Sequence, residues 1–327
     1  MFVAACGAPP PAAPVDHPLD LPPLARLAPA AGLDSLVDAR PRDLLAHPEL
    51  LPLVEKVIPE SQFQAFSQRH GGVDPRQLQE LVVASYGGST LVLAQGDFDP
   101  RRVERAFGER TTRTTGRFVD RAGGALSTVV RLEGDAATDA MTAVLLGRQA
   151  VAVELHAKPK RVGPARVAEL VALGKLQRVQ PALDAPPLDV AAKALGDAPL
   201  RIFFPGPFEG ESAKGLAGLL QATTAVGIAV YPDRSDPNDR PVLDVTLDLF
   251  GAWGSDADVA GQRFAAALES VSRSDLGRLC GLNEPVRGPI LKTSPTVLSV
   301  YVVLDAARIA SGLRAATGSQ IDEIMRD

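Results

Sequence analysis

The sequence has few of the residues from which metal, redox and disulfide sites are built. Its 327 residues contain two cysteines, Cys6 and Cys280, and four histidines. No His-Glu-x-x-His motif and no pair of histidines four residues apart occurs, so we expect no metal site and no cofactor. Cys280 lies among apolar residues, which is typical of a buried thiol.

Aromatic residues and positive charge are also scarce. Only 5% of the residues are aromatic, with a single tryptophan, and the net charge is −5. Nucleic-acid-binding domains usually carry a basic surface or stacked aromatic platforms, so we expect no nucleic-acid partner. No apolar run reaches the length of a transmembrane helix.

Familiar catalytic motifs are missing as well. The sequence contains no Gly-x-Ser-x-Gly, no Walker loop and no three-glycine dinucleotide fingerprint. Oxygen ligands for calcium crowd at Asp233, Asp236, Asn238 and Asp239, but the EF-hand spacing is absent, and we interpret this segment as a solvated loop. The catalytic residues, if there are any, therefore stay unassigned.

The N-terminus carries the strongest local signal. Val3-Ala4-Ala5-Cys6 resembles the lipobox of bacterial lipoproteins, in which an aliphatic and two small residues precede the lipidated cysteine. The resemblance implies that Cys6 carries the acyl chains, and Gly7 is compatible with outer-membrane sorting. A signal peptide also needs a charged region and an apolar region, and only two residues precede Val3. Either the true start codon lies further upstream, or the sequence is trimmed, or the match is accidental.

Proline dominates the residues that follow Cys6. Pro9-Pro10-Pro11, Pro14, Pro18, Pro22-Pro23 and Pro29 remove backbone donors and fix φ. This composition predicts an extended tether that ends near Ala31. We therefore assign residues 1–31 to the lipobox and tether.

The remaining sequence predicts an α+β fold, with antiparallel sheets packed against helices. Alternation of apolar and polar residues predicts strands, and Pro or acidic residues at a first turn predict helix starts. We expect helices in 34–71, 100–107, 165–196, 209–221, 256–271 and 306–316 and from Ser319, and strands in 81–86, 90–94, 117–121, 128–132, 140–146, 150–155, 200–204, 225–231, 242–250 and 298–304.

Two related halves are a further expectation. Leu91–Asp99 is similar to Arg201–Glu209: in each, a strand meets Gly, then Phe two residues later, then an acidic residue that opens a helix. Lys158–Pro164 has the composition of a linker, so we place one domain at 32–157 and a second at 158–327. Chance similarity is the alternative to duplication.

One strand suggests a binding face. Leu243, Val245, Leu247 and Leu249 alternate with Asp244, Thr246 and Asp248, which predicts a sheet with one buried and one wet face. Trp253 and Tyr231 are the candidate ligand-binding residues beside the wet face, although ordinary core or edge positions would also explain them.

These observations favour a non-enzymatic, lipid-anchored envelope protein. Its expected site is the outer membrane, facing the periplasm or the cell surface. Its expected partners are the membrane, through the anchor, and an envelope protein, lipid or polymer. Two alternatives stay open: a periplasmic hydrolase with an unidentified carboxylate-based site, and a cytosolic structural protein.

Overall fold

A computed structural model describes residues 16–124, 126–136, 139–156, 163–233 and 240–324. These residues form a single sheet of twelve antiparallel strands together with ten α-helices. The α+β prediction is confirmed. The strand order is β11-β12-β10-β9-β8-β1-β2-β3-β7-β6-β5-β4. The strands are β1 (Leu33–Ala39), β2 (Glu80–Tyr86), β3 (Ser89–Gln95), β4 (Arg113–Arg121), β5 (Val129–Asp135), β6 (Ala140–Leu146), β7 (Ala150–His156), β8 (Leu200–Pro205), β9 (Thr223–Asp233), β10 (Val242–Gly251), β11 (Arg287–Thr293) and β12 (Val297–Asp305).

Helices connect the strands and cover parts of both faces of the sheet. They are α1 (Pro41–Leu45), α2 (Leu51–Val57), α3 (Glu60–Arg69), α4 (Pro100–Arg110), α5 (Pro164–Ala172), α6 (Leu188–Leu195), α7 (Gly215–Gly218), α8 (Ala257–Arg273), α9 (Asp275–Leu279) and α10 (Ala306–Ile324). No helix in the described part of the chain has both the length and the apolar character that crossing a membrane requires.

The two halves of the sheet share one topology. The order β1-β2-β3-β7-β6 matches β8-β9-β10-β12-β11, with α4 following β3 as α8 follows β10. The β4–β5 hairpin is an addition to the first half. Because β1 pairs antiparallel with β8, a rotation of half a turn about an axis through this joint relates the halves. The predicted boundary at residue 158 lies outside the described residues, and independent folding of the two domains stays a prediction.

The repeat has a different register from the one we expected. The topological counterpart of β3 is β10, so Gly96-Asp97-Phe98 corresponds to Gly251-Ala252-Trp253 rather than to Gly206-Pro207-Phe208. In both segments the aromatic ring folds back over the glycine. A Cβ on Gly96 would lie 3.2 Å from the Phe98 ring, and one on Gly251 would lie 3.0 Å from the Trp253 ring. The glycine is needed because the aromatic side chain occupies the space above it.

The hydrophobic core lies on both faces of the sheet. On the front face, α5 and α6 bury small residues, including Ala165, Ala168 and Ala191, against β1, β2, β3, β6, β7 and β8. On the back face, α4 packs Phe107 onto the first half and α8 packs Phe264 onto the second. Neither ring is more than 1% exposed. Burial of such rings contributes roughly 2 to 3 kcal/mol each.

The N-terminal segment is the first correction. Residues 16–31 do not form a free tether, because Leu24 and Leu27 are fully buried on the front face. The Glu80 carboxylate accepts hydrogen bonds from the backbone N–H groups of Leu24 and Ala25, at 3.1 and 3.2 Å. This segment forms a short 3-10 helix, Leu24–Leu27, and its prolines do not prevent packing.

Other corrections concern segments that do not form the predicted helices. Residues 33–39 form β1, where Asp38 is neutralised by Arg201 of the second half. Residues 209–221 form short 3-10 turns and the four-residue α7 rather than one long helix, since Leu216 and Ala217 have positive φ. The last helix runs through Gly318 without a new start at Ser319. β11 was not predicted, because the pair Gly288-Pro289 within it is typical of a turn.

Candidate functional site

Two regions of the front face bring polar side chains together. The first is a cleft of about 320 Å³ between the start of α5 and strands β4 to β7, called here the α5 cleft. The second is a row of polar side chains on β9, β10 and β12, called here the polar strip. Its members are Tyr231, Asp244, Thr246, Asp248, Ser299 and Tyr301.

The α5 cleft is built on an acidic residue inside an apolar strand. Glu154 of β7 is 2% exposed, and its carboxylate accepts a 2.9 Å hydrogen bond from the backbone N–H of Ala165 in the first turn of α5. A negative charge at a helix N-terminus is stabilised by the helix dipole. His156, two residues later, shares this face, and Glu133 and Thr142 also line the cleft.

A buried ionic network fixes α5 above this cleft. The Glu169 carboxylate is fully buried and lies 3.0 Å from the Arg131 guanidinium and 2.5 Å from that of Arg166. Asp120 of β4 is bonded to Arg166 as well. Burial raises the pKa of Glu169. Hydrogen bonding with Glu169 and with Arg166 lowers the pKa of Asp120 to about 2. These carboxylates are matched by arginines, so the network holds α5 on the sheet.

The polar strip occupies the corresponding face of the second half. In the β9–β10–β12 register Tyr231 lies opposite Asp244, and Thr246 lies opposite Tyr301. The helix that follows β12 does not lie over this face as α5 does: α10 packs mainly on α2 and α9, while α6 contacts β9. The Lys56 ammonium donates to the Ser311 hydroxyl at 2.8 Å, and Arg314 donates to the Val57 carbonyl at 3.2 Å. The strip is the wet face that the alternation of β10 predicted.

The two carboxylates of the strip are incompletely satisfied. Burial raises the pKa of both Asp244 and Asp248, against hydrogen bonds from Tyr301 and Ser299 respectively. In each carboxylate the Oδ1 atom is buried without a hydrogen-bond partner among the described residues. Asp248 is 7% exposed. Burial and the bond to Asp244 raise the pKa of Tyr301 to about 12.

The two predicted ligand-binding residues do not share a groove. Tyr231 belongs to the strip, 39% exposed, and its hydroxyl donates to the Leu195 carbonyl at 3.1 Å. Trp253 is 7% exposed on the back face, where it packs with Leu249 and Phe264. The Trp253 ring packs in the core cluster between the sheet and α8, away from the strip, and its role in ligand binding stays a prediction.

The remaining sequence candidates contribute little to either region. Cys6, the predicted lipidation site, and the acidic loop at 234–239 lie outside the described residues. Cys280 is half-buried rather than buried, and burial raises the pKa of its thiol. Among the described residues, no three His, Cys, Asp or Glu side chains are grouped so that they could hold a metal ion.

The chain matches no protein-family model, and comparison with curated proteins and with solved structures finds no similar protein. Function must therefore be argued from these two regions. The sequence reasoning missed the α5 cleft. The one available signal was Glu154, a carboxylate in the otherwise apolar run Ala150–Leu155.

Proposed function

We propose that this chain is a non-enzymatic, lipid-anchored binding protein of a bacterial cell envelope. The polar strip is its binding surface. The observation that supports this proposal most is that two acidic side chains of the strip keep buried oxygens without partners among the described residues. Buried polar atoms are nearly always satisfied, so such atoms point to a missing donor. An envelope polymer rich in hydroxyl or amino groups would supply those donors.

The proposed anchor is compatible with where the described chain begins. The Asp16 carboxylate accepts hydrogen bonds from the Leu126 N–H at 2.8 Å and from the Ser127 hydroxyl at 3.0 Å. Cys6 precedes Asp16 by ten residues, which span at most about 35 Å when extended. Acyl chains on Cys6 would thus keep the body close to the bilayer.

The anchor is tested by radiolabelled fatty acid and by membrane fractionation of the full-length gene product. We expect label in the wild type and none in Cys6→Ala, which should also move to the soluble fraction. A Cys6→Ala protein that still sediments with membranes contradicts the anchor.

The binding surface is tested by Asp248→Asn. Because burial raises the pKa of Asp248 above its ordinary value of 3.8, the ionised carboxylate opposes folding increasingly as the pH rises above that value. Asp248→Asn should therefore raise the free energy of unfolding at neutral pH, by about 1 kcal/mol. The gain should disappear in acid, where the carboxyl group is neutral in both states.

The same variant should lose co-sedimentation with purified peptidoglycan, the probe for an envelope polymer. Higher stability together with lost binding is expected when the wild-type residue serves binding at the expense of stability. Asp256→Asn, on an exposed turn, is the matched control and should change neither quantity. Lower stability in Asp248→Asn, with co-sedimentation intact, would show that the residue is structural.

A carboxylate-based hydrolase is the second candidate, because the α5 cleft places Glu133, Glu154 and His156 on one surface. Its test is turnover of chromogenic esters and glycosides by the full chain. Turnover that Glu154→Gln abolishes, in a variant that unfolds at the wild-type temperature, would favour this candidate over the binding protein.

A further inference from the structure

The sheet ends in two edge strands of different character. Within the described chain, β4 and β11 pair on one side only, so each presents backbone N–H and C=O groups that a further strand could use. Proteins usually protect such edges by proline, charge, short length or irregular backbone.

β11 is protected in this way. Its seven residues include Pro289, which has no N–H to donate, and its pairing with β12 shifts between Arg287 and Ile290. Arg287 is held by an ion pair to Asp233 at 2.8 Å. A proline in the middle of an edge strand disfavours pairing with another chain.

β4 lacks these protections over its central part. It has nine residues and no proline. Its pairing with β5 is irregular near both ends, while Gly116 to Val119 pair regularly with Glu133 to Val130. Phe118 is 41% exposed and Val119 46% exposed, and adjacent strand residues point to opposite faces. The Arg131 guanidinium lies 4.4 Å from the centre of the Phe118 ring and supports the ring in this position.

The charge on β4 selects the kind of strand that it would accept. Arg113, Arg117 and Arg121 recur at every fourth residue. Arg117 is paired with Glu104 of α4 at 2.5 Å, whereas Arg113 and Arg121 are exposed and form no ion pair within the described chain. The one acidic residue, Asp120, is already bonded to Arg166. The edge therefore presents two arginines that have no ion-pair partner among the described residues, although Asp135 lies opposite Arg113 in the β4–β5 register.

The same arginines disfavour a second copy of this chain as the partner. Symmetric antiparallel pairing about Arg117 would place this residue against its own copy and Arg113 against Arg121. Like charges directly opposite each other destabilise a strand pair. An acidic strand would face the same positions favourably.

From this arrangement we propose that β4 accepts an extended, acidic segment of another protein as a thirteenth strand of the sheet. Backbone hydrogen bonds to Gly116–Val119 supply the pairing, Phe118 and Val119 each offer an apolar contact, and Arg113 and Arg121 select the acidic side chains. This interaction is separate from the polar strip and does not depend on the function proposed for it.

The test uses the full chain with Cys6→Ser and a labelled synthetic peptide of the length of β4. The peptide alternates valine and threonine, with glutamate at its ends and centre. We expect saturable binding by fluorescence anisotropy that weakens with salt, and slower amide hydrogen exchange at Gly116–Val119. Arg113→Glu with Arg121→Glu should weaken binding by about tenfold.

Three controls decide the outcome. Lys292→Glu reverses a charge on the other edge and should leave binding unchanged. A peptide with lysine in place of glutamate, and one with methylated backbone nitrogens, should not bind. The proposal is overturned if the methylated peptide binds equally well, if protection appears at β11 instead, or if the protein alone dimerises through β4.

Discussion

The two halves of the sheet share their strand order but differ in what lies on the front face. In the first half seven residues, 157–163, separate β7 from α5, and the helix lies back over its own strands. In the second half α10 follows β12 without a linker, and Asp305 caps it by accepting from the backbone N–H groups of Ala307 and Arg308, at 2.8 and 3.1 Å. The helix after the last strand therefore packs differently in the two halves: α5 contacts β6 and β7, whereas α10 packs mainly on α2 and α9.

The front-face side chains of the strands also differ between the two halves. On the front face of β3, Leu91 and Leu93 are buried among apolar residues. The second half places Thr246 and Asp248 at the corresponding positions of β10, and a polar side chain is costly to bury without hydrogen-bond partners. Two buried carboxylates of the first half are compensated: Glu154 accepts from the backbone N–H of Ala165, and Glu169 is paired with two arginines.

The largest expected effect on stability comes from removing Glu169, the buried partner of Arg131 and Arg166. Glu169→Ala leaves Arg131 and Arg166 without their shared buried partner, and the free energy of unfolding should fall by about 3 to 5 kcal/mol. Urea denaturation measures the loss. Glu133→Ala, which removes a half-exposed partner of Arg131, should cost less than about 1 kcal/mol. Equal losses would mean that the network does not hold α5 in place.

An intermediate effect on stability is expected for substitution of Gly96 and Gly251, the glycines two residues before Phe98 and Trp253. The two substitutions should differ in cost. A Cβ on Gly251 would lie 2.5 Å from the Ala222 carbonyl oxygen, which is backbone, and 3.0 Å from the Trp253 ring. A Cβ on Gly96 would meet only side chains, the nearest at 3.2 Å. Gly251→Ala should therefore lower the free energy of unfolding by about 1 to 3 kcal/mol.

Gly96→Ala should cost less than about 1 kcal/mol, since the Phe98 ring can shift by the few tenths of an ångström required. Thermal unfolding of both variants, compared with the wild type, measures the difference. If Gly96→Ala were the more damaging of the two, the comparison of the two turns would be wrong.

The smallest effect concerns two tyrosines on corresponding strands. The Tyr86 hydroxyl of β2 donates to the Pro29 carbonyl at 2.9 Å and is buried, whereas that of Tyr231 on β9 donates to the Leu195 carbonyl from an exposed position. Tyr86→Phe should lower the free energy of unfolding by about 1 kcal/mol, because it leaves a buried carbonyl without its donor. Tyr231→Phe should lower the free energy of unfolding by no more than a few tenths of a kcal/mol. Reversed values would show that residues 16–31 add nothing to the first half.

Elements with strict alternation or a local cap were predictable from sequence. The β2–β3 hairpin, β10 and β12 follow the period of two, and Asp99 and Asp305 begin α4 and α10 as expected. β1 could not be recognised because Asp34 and Asp38 interrupt its apolar pattern. Asp38 is tolerated there only because Arg201, far away in sequence, neutralises it.

The candidate regions show the same limit. The polar strip was visible in one strand, since Asp244, Thr246 and Asp248 alternate with leucine and valine. The α5 cleft was not visible, because Glu154, Glu169 and Arg131 come from three separate segments. Local periodicity assigns a side chain to a face of its own strand, but it does not say which distant side chains will meet it there. The lipid anchor at Cys6 stays a prediction.

The order of the strands also sets a distance. The chain enters the described body beside the β4–β5 turn, where Asp16 is bound. From β4 to β10 the sheet advances by nine strand spacings, or roughly 40 Å at the usual separation of neighbouring strands. A protein fixed at its N-terminus would carry the polar strip toward the far end of a rigid arm, and the number of strands would set the length of that arm.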